Sequence, residues 1–203
     1  MGARRSGSEP RRKLLDEIMP RYDVNDVHEV WVPAAPAAAY GAIKAVTPRE
    51  IRLFAPLMAI RMLPSRLKGR GAELEPAVPL LRQFVRQGFL ILDERPGYEE
   101  FVMGGIGRFW RLSGDEALHT IETYEDFISF AEPGYAKAGL DFTASPEGDG
   151  TRIVTETRVV GTDPEATKLF RRYWFAIRLG SAAIRRSWLA GIRRRIEREH
   201  ASR

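Results

Sequence analysis

The 203-residue sequence predicts an α+β fold in which an antiparallel sheet is covered by a long C-terminal helix. A strand and a helix open the chain, strand-like segments separated by turn residues follow, and an amphipathic helix ends it. Alternating β-α-β units, which would indicate a parallel sheet, are missing from this order. The length fits one domain, which we expect to cover residues 23–203.

Residues 1–22 are predicted to form a flexible basic arm that packs loosely or not at all. The stretch is polar and contains several arginines, a composition that is unfavourable for forming a core. Apolar residues at positions 14, 15, 18 and 19 have helical spacing. They indicate a short helix at the end of the arm.

The domain proper is predicted to start with a strand over residues 24–32 and a helix over residues 36–46. Alternating residue character indicates the strand, and Pro36 suits a first helical turn. Residues 47–83 are predicted to be a helical, proline-rich insertion. Thr47 and Glu50 form a capping-box pattern there, and Phe54, Leu57 and Met58 follow at helical spacing.

Strand-like segments fill the middle of the sequence. They are predicted at residues 88–94, 98–110, 119–130, 135–144 and 151–161. The clearest pair is the hairpin around Gly148-Asp149, whose first arm alternates apolar residues such as Leu140 with polar residues such as Asp141. This alternation predicts a sheet with one covered face and one solvated face.

The chain is predicted to end in a long helix that begins at a capping box formed by Thr162 and Glu165. An apolar and aromatic stripe follows at helical spacing, while most arginines are assigned to the other side of the helix. The members of the stripe are Ala166, Phe170, Tyr173, Trp174, Ile177, Ile184, Trp188, Ile192 and Ile196.

Several of these segments together resemble the START-like, or SRPBCC, superfamily, which includes polyketide cyclases/dehydrases and lipid-transfer domains. The resemblance covers residues 24–197 and is carried by VWVPAAPAAAYGAI, the GDGTR turn, the TDPE helix start, GRFW, FAEPGYAKAGLDF, TETRVV and FRRYW. It implies a helix-grip fold, in which a curved antiparallel sheet of about seven strands wraps around the C-terminal helix. The insertion at residues 47–83 is longer than the corresponding segment of the family.

The resemblance also implies a cavity between sheet and helix for an apolar ligand, such as a lipid, a polyketide or an aromatic metabolite. It supplies no universal catalytic residue, so the catalytic residues are left unknown. The residues predicted to line the cavity are His28, Val30, Arg108, Trp110, Tyr124, Leu140, Phe142, Thr155, Thr157, Phe170, Tyr173, Trp174 and Ile177.

Polar candidates have two interpretations each. His28 could act as a general base in the cavity or be a structural histidine, and Arg108 could point inward or form a surface ion pair. Glu122, Tyr124 and Asp126 could perform acid/base chemistry or form a solvated strand face. The glycines at 104, 105 and 107 do not precede a helix with a phosphate-binding pattern, so they indicate a bulge or a close approach.

Composition limits the other classes of function. Without cysteine, no disulfide or thiolate metal site is possible, and the three histidines show no metal-ligand spacing. The net charge of +5 is spread along the chain with interleaved glutamates, which disfavours nucleic-acid binding. We predict a cytoplasmic protein without cofactor or metal, with at most peripheral membrane contact through its C-terminal arginines, and leave its oligomeric state open.

Three functions fit these expectations. The first is binding or transport of a small hydrophobic ligand in an internal cavity. The second is a polyketide cyclase/dehydrase-like enzyme, in which the pocket orients a reactive chain and one polar residue moves a proton. The third is a regulatory or interaction module without a ligand.

Overall fold

The computed structural model describes residues 12–51, 75–111 and 118–201. The elements in these ranges are α1 (Leu14–Ile18), β1 (Val24–Val32), α2 (Pro36–Ala45), a 3-10 turn (Pro48–Glu50), α3 (Leu80–Arg86), β2 (Leu90–Arg95), β3 (Glu100–Gly107), α4 (Tyr124–Ser129), β4 (Ala136–Glu147), β5 (Gly150–Gly161) and α5 (Pro164–Ala201). Residues 1–11 of the predicted arm and residues 52–74 of the predicted insertion, with Phe54, Leu57 and Met58, lie outside the described ranges.

The strands form one curved antiparallel sheet in the order β1-β5-β4-β3-β2. The described residues therefore contain five strands, where the resemblance implied about seven. The predicted hairpin is present: Glu147 pairs with Gly150 across a two-residue turn, in which Gly148 has a φ of 62°. Glycine adopts this left-handed conformation without the steric cost that a Cβ would add.

Residues 119–130 were predicted to be a strand, but the structure shows a helix there. His119 makes one isolated bridge to Ile106, and α4 then begins after Thr123. Thr123 and Asp126 form a reciprocal capping box, because the Asp126 carboxylate accepts hydrogen bonds from the backbone N–H groups of Glu122 and Thr123. These hydrogen bonds lower the pKa of Asp126, so this carboxylate serves helix capping.

The main core lies between the inner face of the sheet and the C-terminal half of α5. Trp188 of α5 stacks on Phe84 of α3 with 5.8 Å between ring centroids and contacts Phe142 of β4 at 5.1 Å. Ile192 and Ile43 are completely buried beside them. Closely packed aromatic and branched side chains of this kind supply most of the apolar burial that stabilises a fold.

The outer face of the sheet is also covered, contrary to the predicted solvated face. Leu14 and Leu15 of α1 are buried in a second apolar cluster with Val102 of β3 and Phe127 of α4. The predicted loose packing of residues 1–22 therefore does not apply to α1. Gly139 of β4 permits this contact, because a Cβ there would lie 2.5 Å from the sulfur of Met19.

Charged side chains of the hairpin lie buried under α1. Arg158 is 7% exposed and donates hydrogen bonds to Glu156 at 2.7 Å, to Asp16 of α1 at 2.6 Å and to the backbone oxygen of Met19 at 3.0 Å. Glu100 of β3 accepts a hydrogen bond from the N–H of Leu14 at 2.7 Å. These contacts join α1 to the sheet, and each one compensates part of the cost of burying a charge.

Asp141 is the most deeply buried carboxyl of this outer-face cluster, with no exposed surface. Its Oδ1 atom accepts the N–H of Glu156, while no described residue offers a hydrogen bond to Oδ2. Burial raises the pKa of Asp141 from 3.8 to about 7, and the carboxylates of Glu156 and Glu100 act in the same direction. The carboxyl is therefore partly protonated near neutral pH.

This pKa predicts a pH-dependent stability. The folded protein holds the Asp141 proton more tightly than the unfolded chain does. The contribution of protonated Asp141 to the free energy of unfolding is therefore complete below about pH 4 and is lost as the pH rises through about 7. We expect the unfolding free energy of wild type, relative to Asp141→Asn, to fall by about 2–3 kcal/mol between about pH 5 and about pH 8. Urea unfolding at both pH values measures it.

The exposed carboxylate of Asp149, in the hairpin turn, provides the matched control. Asp149→Asn should keep the pH profile of the wild type. A profile of Asp141→Asn that runs parallel to that of the wild type would show that Asp141 does not titrate in this range.

Asp163 caps the start of the long helix α5, because its carboxylate accepts the N–H groups of Glu165 and Ala166. The predicted cap, Thr162, instead donates its hydroxyl to the backbone oxygen of Tyr135 at 3.0 Å, which places it beside the start of β4 rather than in the helix cap. At the other end, Arg195 pairs with Glu50 at 3.1 Å. The predicted capping box of Thr47 and Glu50 is present at the 3-10 turn.

A pocket between the terminal helix and the sheet as candidate functional site

A pocket of about 160 Å³ lies between the inner face of the sheet and α5. It is next to the core, around the first half of the helix. Its walls are mainly aromatic and aliphatic. Besides residues of α5, β4 and β5, it is lined by Phe84, Phe89, Met103 and Phe109.

One face of α5 forms the roof of the pocket. Phe170, Trp174, Ile177, Ser181 and Arg185 follow one another in steps of four, three, four and four residues, so their side chains project from one side of the helix. Phe170 and Trp174 stack with 6.3 Å between ring centroids. The roof therefore changes from aromatic at its start to polar at Ser181 and Arg185.

The floor comes from paired residues of the hairpin. Ala138 of β4 lies opposite Val159 of β5, and Leu140 lies opposite Thr157. All four line the pocket. Ala138 leaves space beneath the aromatic residues of α5 because its side chain is a single methyl group, so the hairpin sequence itself helps to keep the pocket open.

Arg185 is the charged residue among the described pocket lining. Its guanidinium donates hydrogen bonds to the hydroxyls of Thr155 at 3.2 Å and Thr157 at 2.5 Å. The guanidinium carbon also lies 5.5 Å from the ring centroid of Trp188, in a cation–π contact. Two neutral hydroxyls and an aromatic face thus hold the cation in place.

Burial lowers the pKa of Arg185 to about 10, although the carboxylates of Asp26 and Asp141 favour its charged form through space. At neutral pH the side chain remains protonated. Within the described parts of the chain, no carboxylate forms an ion pair with it, whereas Asp26 contacts His28 at 3.0 Å. A partly buried cation without a contacting anion is energetically unfavourable.

The structure brings six of the thirteen predicted lining residues together around this pocket. Four of them come from α5 and two from the hairpin. They are Leu140, Thr157, Phe170, Tyr173, Trp174 and Ile177.

Four other predicted residues lie on the sheet, outside the pocket lining. Phe142 is completely buried in the main core, where Val30 packs beside it. Thr155 is 1% exposed and donates its hydroxyl to the backbone oxygen of Asp141, while accepting from Arg185. His28 is hydrogen-bonded to Asp26 and is not among the described residues that line the pocket.

The remaining three predicted residues lie elsewhere. Arg108, a predicted lining residue that could point inward or form a surface ion pair, donates to the backbone oxygen of Gly134 and lies over the ring of Tyr135, with 4.3 Å to its centroid. Trp110 is partly buried in the cluster around Phe170 without lining the pocket. Tyr124 is 38% exposed on α4, because its segment is helical.

The sequence interpretation, which assigned most arginines to the solvated side of the helix, missed Ser181 and Arg185. Their positions continue the spacing of Phe170, Trp174 and Ile177, and that spacing is the signal that could have identified them. The polarity of Ser181 and Arg185 alone indicated the solvated side of the helix, which was wrong.

A larger depression, of about 580 Å³, lies at the surface between α2, α3 and β2. Its rim carries long charged side chains, including Lys44, Arg82 and Arg86, beside Val85 and Ile91. Those side chains are mostly exposed and can move without disturbing the core. We therefore take the smaller pocket under α5, whose walls belong to the core, as the candidate site.

Two structural findings concern other classes of site. Nowhere in residues 12–51, 75–111 and 118–201 do three histidine, aspartate or glutamate side chains come together in a way that could hold a metal ion. In the same ranges, no helix is both long enough and apolar enough to cross a membrane.

The sequence matches no family model and no curated protein. The structure is similar to the crystal structure of TTHA0849 from Thermus thermophilus, with 12% identity and a TM-score of 0.33, over 87% of this chain and 99% of that chain. It is also similar to Ara h 8.0201, with 8% identity and a TM-score of 0.32, over 83% of this chain and 97% of that chain. Because these scores are low, the helix-grip architecture stays a prediction.

Proposed function

We propose that the protein binds or carries a small, mainly apolar molecule in the pocket under α5. One observation carries the proposal. A helix that only covers a sheet would pack directly against it, whereas a space of about 160 Å³ with aromatic walls remains next to Trp174. An apolar cavity of about 150 Å³ is large enough for a benzene molecule. The pocket therefore suits one or two rings, or a short alkyl chain, better than a whole sterol.

The enzyme alternative requires a group that can move a proton beside the ligand. The polar side chains among the described lining are Thr157, Tyr173, Ser181 and Arg185. None of these residue types is an efficient base near neutral pH without further activation. This chemistry favours binding over a cyclase/dehydrase reaction. The third hypothesis, an interaction module without a ligand, does not explain why an aromatic pocket is present.

Filling the pocket should abolish binding. We expect 2-naphthalenemethanol, a neutral two-ring compound, to stabilise the wild-type protein by about 2.7 kcal/mol at 100 times its dissociation constant. Ala138→Leu places a larger side chain between the hairpin and Trp174, so we expect at least a tenfold weaker affinity. Isothermal titration calorimetry measures the affinity, and thermal unfolding with and without the compound measures the stabilisation.

Ala37→Leu is the matched control, because Ala37 is exposed on α2 and outside the pocket. This variant should bind as the wild type does. Equal binding by the Ala138→Leu variant would place the ligand elsewhere. Native mass spectrometry of the protein purified from its own host would in addition identify a retained natural ligand by its mass.

A further inference from the structure

The pocket has a polar end and an apolar end. Phe170 and Arg185 are fifteen residues apart on α5, which corresponds to about 22 Å along the helix axis. Phe109 contacts Phe170 at the first end, with 6.3 Å between ring centroids. Thr157 and Ser181 accompany Arg185 at the other end. A molecule of one or two rings whose polar group meets the hydrogen-bonding groups near Arg185 would extend from there along the apolar walls.

The guanidinium of Arg185 has unused hydrogen-bonding capacity. It carries five N–H donors, and the described residues accept from two of its nitrogens, through Thr155 and Thr157. Both acceptors are uncharged; Thr157 belongs to the floor of the pocket, and Thr155 lies on the same strand outside the lining. Donors that remain free beside a pocket are available to a group that enters it.

We infer that Arg185 anchors a carboxylate, and that the ligand is a small aromatic or aliphatic carboxylic acid. This inference rests on the proposed function, since it concerns a molecule bound in the same pocket. A planar carboxylate matches the fork of a guanidinium, which can donate two parallel hydrogen bonds to it. Within the described lining Arg185 is the one cationic side chain, so its charge fits a single negative charge better than a phosphate.

A purely structural role for Arg185 would also account for the threonine contacts and the stacking on Trp188. The two roles differ in one respect. A structural arginine keeps α5 on the sheet but makes no distinction between a neutral molecule and an anion. An anchoring arginine makes the affinity depend on the charge of the ligand.

The experiment compares two compounds of nearly the same shape, 2-naphthoate and 2-naphthalenemethanol, by isothermal titration calorimetry on the full chain at neutral pH. We expect the wild-type protein to bind the acid about 10- to 100-fold more tightly, the range expected for charge-assisted hydrogen bonds. Arg185→Met should lose this preference and still bind the alcohol to within about threefold, since methionine retains an apolar side chain of similar length.

Arg186→Met is the matched control. Arg186 is the next residue of α5, is exposed and does not line the pocket, so this variant changes the net charge equally without altering the lining. It should keep the preference for the acid. If Arg185→Met fails to fold, the wild-type comparison and Arg185→Lys, which keeps the charge but not the fork, still test the inference.

The outcomes separate the two proposals. Equal affinities of the wild-type protein for the acid and the alcohol would overturn the carboxylate anchor and leave the proposed function standing. Absence of binding by both compounds would count against the proposed function itself. Retention of the preference in Arg185→Met would also overturn the anchor, because the selectivity would then arise from another residue.

Discussion

Replacing Trp188 with alanine is expected to lower the free energy of unfolding by about 3–5 kcal/mol. Trp188 is 2% exposed and contacts elements that are distant in the sequence: α3 through Phe84 and β4 through Phe142. Removing the ring leaves a cavity bordered by rigid aromatic neighbours, which cannot collapse completely to fill it. Both the lost burial and the remaining cavity therefore contribute to the loss.

Urea unfolding followed by circular dichroism measures this effect, since that signal does not depend on the tryptophan itself. Trp188→Phe should cost less than the alanine change, because it keeps one ring and removes an indole N–H for which no described residue provides an acceptor. Phe175→Ala is the control on the same helix. Phe175 is 71% exposed, so its loss should change stability by no more than about 0.5 kcal/mol.

Replacing Arg158 with methionine is expected to cost about 3–5 kcal/mol, because the change leaves a buried carboxylate without its partner. Glu156 is 5% exposed, and its remaining cationic contact would be Lys13 at 3.7 Å. The same substitution also removes the hydrogen bonds from Arg158 to Asp16 and to the backbone of α1. We therefore expect α1 to detach before the rest of the domain unfolds.

Hydrogen exchange of the backbone amides of α1 measures the detachment, and urea unfolding measures the global loss. Arg152→Met is the control on the same strand, since Arg152 forms its ion pairs with Glu29 and Glu147 at the surface, and should resemble the wild type. A double variant with Glu156→Leu should regain stability, because the uncompensated charge is gone. If Arg158→Met were as stable as Arg152→Met, the buried contacts of Arg158 would make no net contribution to the free energy of unfolding.

Local patterns were sufficient to predict the β4-β5 hairpin and α5. The hairpin combines strict alternation with a turn at Gly148-Asp149, and both signals lie within a few residues of each other. The stripe from Phe170 to Ile196 has helical spacing over several turns, which makes the type of element unambiguous. These elements carry the pocket, but the expectation of a cavity between them came from the family resemblance and not from these patterns.

Competing local signals explain the error at residues 119–130. The segment has enough apolar and β-favouring residues to resemble a strand, but Thr123 and Asp126 stand at the spacing of a capping box. Phe127 then packs against the outer face of the sheet, at Gly104, and tertiary contact stabilises a helix of only six residues. Tyr124 was misplaced together with the element that carries it.

Long-range contacts explain the other errors. Polar residues such as Asp141, Glu156 and Arg158 predict a solvated face, yet α1 covers them with contacts from residues more than a hundred positions away. Arg185 was assigned to solvent for the same reason, although Thr155 and Thr157 of a distant strand hold it at the pocket. A sequence pattern shows that a residue is polar, but it does not show which distant residue will satisfy its hydrogen bonds or charge when it is buried.

The polar contacts that hold α5 on the sheet limit how a ligand can enter the pocket beneath it. The 38 residues of α5 correspond to about 57 Å of helix. Directional contacts hold it near its start, where Asp163 accepts the N–H of Gly134, midway at Arg185 and near its end at Arg195. Apolar contacts alone would let α5 shift along the sheet, but these three polar contacts resist both shifting and tilting of the helix. We expect a guest to be admitted by rotation of rim side chains such as Phe109 and Trp174, with the helix axis staying in place.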